Sequence, residues 1–103
     1  MEKELLDDLI AEASKFGARL WRFNSGMAVM PGGNWVRFGF PGAPDLVGLT
    51  KTGKFLAVEA KTKNTKITAA QKNFAKLIQN MGGIHIFAYK VDDLTNVLKN
   101  ESD

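Results

Sequence analysis

The sequence predicts a single α/β domain, and three observations carry that expectation. Apolar residues recur at helical spacing near both ends and again past the middle. Between those stretches lie short runs rich in β-branched and aromatic residues, punctuated by Gly and Pro. The resulting order is helix, several strands, helix, strand, helix, the alternation expected when helices flank a sheet. At 103 residues the chain supports one modest core, so one domain spanning 1–103 is expected. There is no internal repeat and no low-complexity segment.

The elements follow in order. Leu5, Leu6, Leu9, Ile10, Ala13 and Phe16 fall on one helical face and Gly17 follows as a stop, predicting a helix from about 2 to 16. Leu20, Trp21 and Phe23 alternate loosely with Arg19 and Arg22, predicting a strand that ends at Ser25-Gly26. Residues 27–30 and 35–40 flank the turn signal Pro31-Gly32-Gly33-Asn34 and predict a hairpin. A second hairpin is expected from 45–50 and 55–62 around Lys51-Thr52-Gly53-Lys54. Thr68-Ala69-Ala70-Gln71 has the form of a capping box opening a helix. Its stripe is Ala70, Phe74, Leu77, Ile78 and Met81, and Gly82-Gly83 ends it. Ile84 to Tyr89 is a short buried strand, and a final helix runs over 92–99.

Charge is distributed very unevenly. The formal net charge is only +3, yet between Ala13 and Val91 twelve lysines and arginines face two acids, Asp45 and Glu59. The remaining acids crowd into the first twelve residues and the last twelve. A basic surface attracts polyanions, and two isolated carboxylates can hold a divalent cation against a phosphate. With no cysteine, disulfides and thiolate metal sites are excluded, and no His cluster suggests zinc. No apolar run reaches membrane-spanning length, and the acidic N-terminus does not read as a secretory signal.

The second hairpin decides whether the two acids can cooperate. A two-residue turn at Thr52-Gly53 would set Asp45 opposite Ala60, with Asp45 and Glu59 on different faces. A three-residue loop at Lys51-Thr52-Gly53 would set Asp45 opposite Glu59 on one face. A bulge near Asp45 would change either outcome, and the sequence leaves the register open. Within the second strand Phe55, Ala57, Glu59 and Lys61 share a face, opposite Leu56, Val58 and Ala60. Phosphodiester hydrolysis requires a neutralised phosphate, an activated water and a stabilised leaving oxyanion. Asp45 and Glu59, if the hairpin brings them onto one face, are hard oxygen donors suited to Mg²⁺, and the Ala60 carbonyl could add another. Lys61 could polarise the water or the charge developing at phosphorus. The alternative is structural: Asp45 as a turn residue after Pro44, and Glu59 with Lys61 as a solvated strand pair.

Pro44-Asp45 followed by Glu59-Ala60-Lys61 resembles the PD-(D/E)xK nuclease signature, and the wider context resembles the VRR-NUC (virus-type replication-repair nuclease) family within it. The stretches 17–26, 35–48 and 55–62, with Gln71 opening the next helix, carry the likeness in order. The resemblance implies a restriction-endonuclease-like core, a central mixed β-sheet flanked by helices, and Mg²⁺- or Mn²⁺-dependent DNA cleavage. It further implies a cytoplasmic phage or bacterial protein, often a homodimer, acting on Holliday-junction or other branched DNA. A nickase, a flap-directed nuclease and a non-catalytic DNA-binding module are the competing readings. Gln71 would orient water or phosphate, or serve only the capping box. A first-helix acid near the metal is also implied, with Glu4 the best match and Glu2, Asp7 and Glu12 its rivals. Lys63, Lys66, Lys72 and Lys76 follow the motif closely enough to contact a phosphate backbone. Arg22, Arg37, Trp21 and Trp35 could grip or stack on nucleic acid, although tryptophans at strand spacing more often enter a core. His85 reads as a structural residue.

Overall fold

A computed structural model describes residues 2–23 and 26–101, with the backbone alone for Glu2, Met27, Arg37 and Phe38. In chain order the elements are α1 (Glu2–Lys15), β1 (Arg19–Arg22), β2 (Gly26–Val29), β3 (Trp35–Phe38), β4 (Leu46–Leu49), β5 (Phe55–Ala60), α2 (Ala69–Asn80), β6 (Ile84–Ala88) and α3 (Val91–Glu101). The strand end expected at Ser25 lies outside the described residues.

Four strands form a mixed sheet in the order β1-β4-β5-β6, flanked by helices, as the resemblance implies. β1–β4 and β4–β5 are antiparallel, whereas β5 and β6 are parallel and joined through α2. A helical crossover is the usual way to connect parallel neighbours. β2 and β3 form a separate two-stranded ribbon inserted between β1 and β4.

Alternation along the strands gives the sheet two different faces. Leu20, Leu46, Leu56, Val58, Ile86 and Ala88 share one face and pack with Leu9 and Ala13 of α1 and Leu94 and Leu98 of α3. This is the principal apolar core. α1 stops where Gly17 adopts φ +76°, allowing the Ala18 N–H to reach the Ala13 carbonyl. Two carboxylates help to fasten α3. Glu12 of α1 accepts from the Thr95 hydroxyl, and Glu101 accepts from Thr52 and from Lys54 Nζ. The hydroxyl bond to Thr95 and the Lys15 ammonium hold the Glu12 carboxyl below its ordinary range, and Thr52 with Lys54 does the same for Glu101.

The other face carries Ala57, Glu59, His85 and Phe87, and α2 packs over it at β6. Phe74 of α2 meets the His85 ring edge-on at 5.9 Å. Among the described residues no helix packs over the β1–β4 half of this face as α2 does at β6, and Trp21 there is 56% exposed. Trp35, on the ribbon, is 66% exposed. Both tryptophans therefore depart from the core placement that strand spacing suggests. An apolar residue at strand spacing becomes core only where a second layer exists to receive it.

Candidate active site

The tight turn of the second hairpin fixes the geometry of the acids. The Thr50 N–H donates to the Lys54 carbonyl at 2.9 Å, and the Gly53 N–H donates to the Thr50 carbonyl at 3.0 Å. Lys51-Thr52-Gly53 is thus a three-residue loop, with Gly53 in the left-handed region at φ +92°. A three-residue hairpin loop commonly needs a residue at positive φ in its last position, and glycine supplies it without strain. The pairing runs from Leu49↔Phe55 to Leu46↔Val58. Continued by one residue, it sets Asp45 opposite Glu59.

Asp45 is not left as an ordinary turn residue. Its Oδ2 accepts from the Ala60 N–H at 2.9 Å, occupying a place that a backbone carbonyl would fill if the ladder continued. The N–H and C=O of a strand residue point to the same edge, so the Ala60 carbonyl is directed toward Asp45 as well. Glu59 beside them is only 6% exposed. A buried carboxylate on a strand is unusual unless charges or hydrogen bonds compensate it.

Lys61 takes the next same-face position, and it is 4% exposed. Its Nζ donates to Gln71 Oε1 at 2.7 Å and to the Lys66 carbonyl at 3.2 Å. Two neutral acceptors fix the ammonium and leave one of its three donors for another partner. Gln71 Oε1 also accepts from the Thr68 N–H at 3.0 Å, while the Gln71 N–H donates to Thr68 Oγ1 at 3.1 Å. The capping box and the lysine clamp are therefore one arrangement. The side chain that starts α2 also aims Lys61.

The segment before Asp45 is pressed against the same helix start. A Cβ on Gly42 would lie 2.3 Å from the Ala70 carbonyl oxygen, and Gly42 has φ +80°. Only glycine meets both conditions, so Gly42 brings the Asp45 segment and the Gln71 helix together. The Phe40 ring of this segment lies tilted against Phe23 and Phe74, with centroids 5.8 Å and 5.1 Å away. With His85 and Phe87, 4.7 Å apart, these rings form an aromatic arc alongside the acids. His85 is buried in it, with neither ring nitrogen hydrogen-bonded, and burial lowers its pKa. Its environment is structural.

The first-helix acids separate into two groups. Glu4 and Asp8 line a cleft of about 680 Å³ together with Lys61, Thr62, Tyr89 and Lys90, at the carboxyl ends of β5 and β6. That is where open α/β sheets commonly receive ligands. Asp7 instead pairs with Arg22, and Glu12 is engaged with Thr95 and Lys15. The side chain of Glu2 lies outside the described residues, as does that of Arg37. Asp8 is the acid that sequence reasoning overlooked, although its i,i+4 spacing from Glu4 was a legible signal. Gly42 and Phe40 were also missed, because their roles depend on a contact with α2. Lys63, Lys66, Lys72 and Lys76 are all exposed.

Two carboxylates and a carbonyl make a hard donor set that fits Mg²⁺ or Mn²⁺. Among the described residues no three acidic or histidine side chains converge as a metal-binding group. An ion held by Asp45, Glu59 and the Ala60 carbonyl would keep positions for water and a phosphate oxygen. The family model of the VRR-NUC domain matches residues 3–92, so the chain belongs to the VRR-NUC family, a family of nucleases with a nuclease-like fold. Nucleases of this family generally use a divalent metal ion and act on DNA. No curated protein matches the chain significantly.

Proposed function

We propose that this VRR-NUC chain is a metal-dependent DNA endonuclease selective for branched DNA, cutting with Mg²⁺ or Mn²⁺ in a phage or bacterial cytoplasm. The observation that carries the reading is the opposition of Asp45 and Glu59 across the β4–β5 pair, with Lys61 clamped beside them by Gln71. Asp45, Glu59 and the Ala60 carbonyl hold the ion, and Glu4 in the neighbouring cleft is the candidate supporting acid. When bound, the ion neutralises phosphate charge and lowers the pKa of a coordinated water. Lys61 directs its remaining ammonium donor to a non-bridging phosphate oxygen, where negative charge grows as water attacks phosphorus. Gln71 holds that ammonium in place. Lys63, Lys66, Lys72 and Lys76 grip the phosphate backbone without reading sequence.

Exposed apolar side chains, Leu77 on α2, Met81 at its C-terminal cap, and Val29 and Trp35 on the ribbon, support a homodimer as the working form. The test uses labelled duplex, nicked, flapped and four-way-junction DNA with Mg²⁺, Mn²⁺ or EDTA. Cutting is expected with either metal and none with EDTA. Glu59→Gln should lower the rate by about a hundredfold or more while DNA binding persists, the scale of losing an essential catalytic group. Cutting that survives this substitution would remove Glu59 from the site. Binding without cutting under any metal would leave a DNA-binding module. Symmetric paired cuts in the junction would favour a dimeric resolvase over a nickase or flap nuclease.

A further inference from the structure

The uncovered half of the site-bearing face holds an exposed indole next to the acids. Leu20 enters the core, so Trp21 beside it projects to the opposite face. The register pairs Trp21 with Val47 and Val47 with Ala57, which places Trp21 on the face that carries Glu59. The Phe23 N–H donates to the Asp45 carbonyl at 2.8 Å, so the acids occupy the next rung on that face. Two residues of strand separate the rungs, about 7 Å. We propose that Trp21 is a stacking platform for a nucleobase of an unpaired DNA strand, positioned so that the attached phosphate reaches the acids. This deepens the nuclease reading above and rests on it, by naming an unstacked nucleotide at the cut as the feature that selects substrate.

Three observations favour a nucleotide over a second copy of the chain. Trp21 is 56% exposed, and Leu49 and Phe55 on the same face of the sheet are also exposed, so more than half of the indole's surface is open to a ligand. The surrounding sequence from Ala13 to Val91 has no acid besides Asp45 and Glu59, which suits phosphates and opposes a two-fold contact of this face with itself. The platform is also continuous with the acid rung, so one nucleotide can span both. A paired base inside a duplex is already stacked on both sides and cannot lie on the indole. A base at a flap, gap or junction can.

The test measures binding and cutting of flapped and duplex DNA by the wild type, Trp21→Ala and Trp21→Phe. Each substrate is made with and without an abasic nucleotide at the cut. Stacking on an aromatic side chain predicts a loss of roughly tenfold to a hundredfold in flap affinity for Trp21→Ala, with most of it retained in Trp21→Phe. Duplex affinity should change less than about twofold on the same reasoning. The abasic substrate should cost the wild type the same factor and cost Trp21→Ala almost nothing more, because both changes remove one interaction. In a Trp35→Phe background, where Trp21 is the sole tryptophan, flap DNA should quench its fluorescence and the abasic flap should not. Independent, multiplying effects of the two changes would overturn the proposal. So would equal losses on flap and duplex, or a dimer-to-monomer change of Trp21→Ala in gel filtration. The binding and quenching measurements need no metal, so they decide the platform even if no DNA is cut and the nuclease reading fails.

Discussion

The two faces of the central sheet use the same strands for opposite purposes. On one face Leu46, Leu56, Val58 and Ile86 are sealed beneath α1 and α3, and the residues are interchangeable in chemistry if not in shape. On the other, Asp45, Glu59 and Lys61 sit within the same pleat, but their positions are set by a hydrogen bond, a clamp and a glycine. β5 shows the contrast within one strand, since Leu56 and Val58 are as buried as Ala57 and Glu59. Burial therefore says little about role here. What differs is the price of an error: a lost methylene on the first face removes stability, whereas a small displacement on the second removes chemistry.

That contrast can be broken by substitution. The largest expected effect on stability is Leu56→Ala, which should cost about 2–5 kcal/mol, a large share of the 5–15 kcal/mol typical of a domain. A urea titration would show it as a lower midpoint. Cleavage per folded molecule should remain unchanged, and a fall in that quantity would mean that the two faces are not independent. Next is Gly42→Ala, which forces a side chain into the left-handed region and against the Ala70 carbonyl. The strain should cost about 1–3 kcal/mol. Here the cleavage rate should drop by more than stability explains, because the Asp45 segment must move away from Gln71. Unchanged cleavage at full folding would detach Gly42 from the site.

The smallest expected effect sharpens the comparison on the polar face. Burial lowers the pKa of His85, so the folded protein takes up a proton there less readily than the unfolded chain, in which the imidazole protonates near its ordinary value of 6.5. The unfolded state then binds more protons below that pH, and stability falls as the solution is acidified through it. Melting temperatures measured from pH 8 to pH 5 should decline modestly for the wild type and stay flatter for His85→Phe. The carboxylates of Glu12 and Glu101, held below their ordinary range, add a separate loss at lower pH, where both variants should fall together. A decline of equal size in both variants above pH 5 would place its origin elsewhere.

Much of the fold was legible because its signals are local. Helical periodicity and Gly17 mark α1, Thr68 and Gln71 mark the start of α2, and turn residues separate the strands. The motif residues were legible for the same reason, since two acids in an otherwise acid-free stretch need no structure to be noticed. Other features were not. Gln71 reads equally well as a cap or as a site residue until its Oε1 is seen to accept from both Thr68 and Lys61. Trp21 and Trp35 carry a strong core signal, yet both are more than half exposed. Exposure depends on which elements arrive from elsewhere in the chain, and strand spacing contains no information about that.

By itself the sequence determined the class of fold, the order of elements, the family likeness and the identity of the two isolated acids. These follow from composition and from periodicity within a few residues. Only the tertiary structure decided the register that sets Asp45 opposite Glu59, the distribution of the first-helix acids between cleft and ion pairs, and the exposure of Trp21 beside the site. Each of these depends on how distant segments meet, and a one-residue shift in pairing would have turned the same acids to opposite faces.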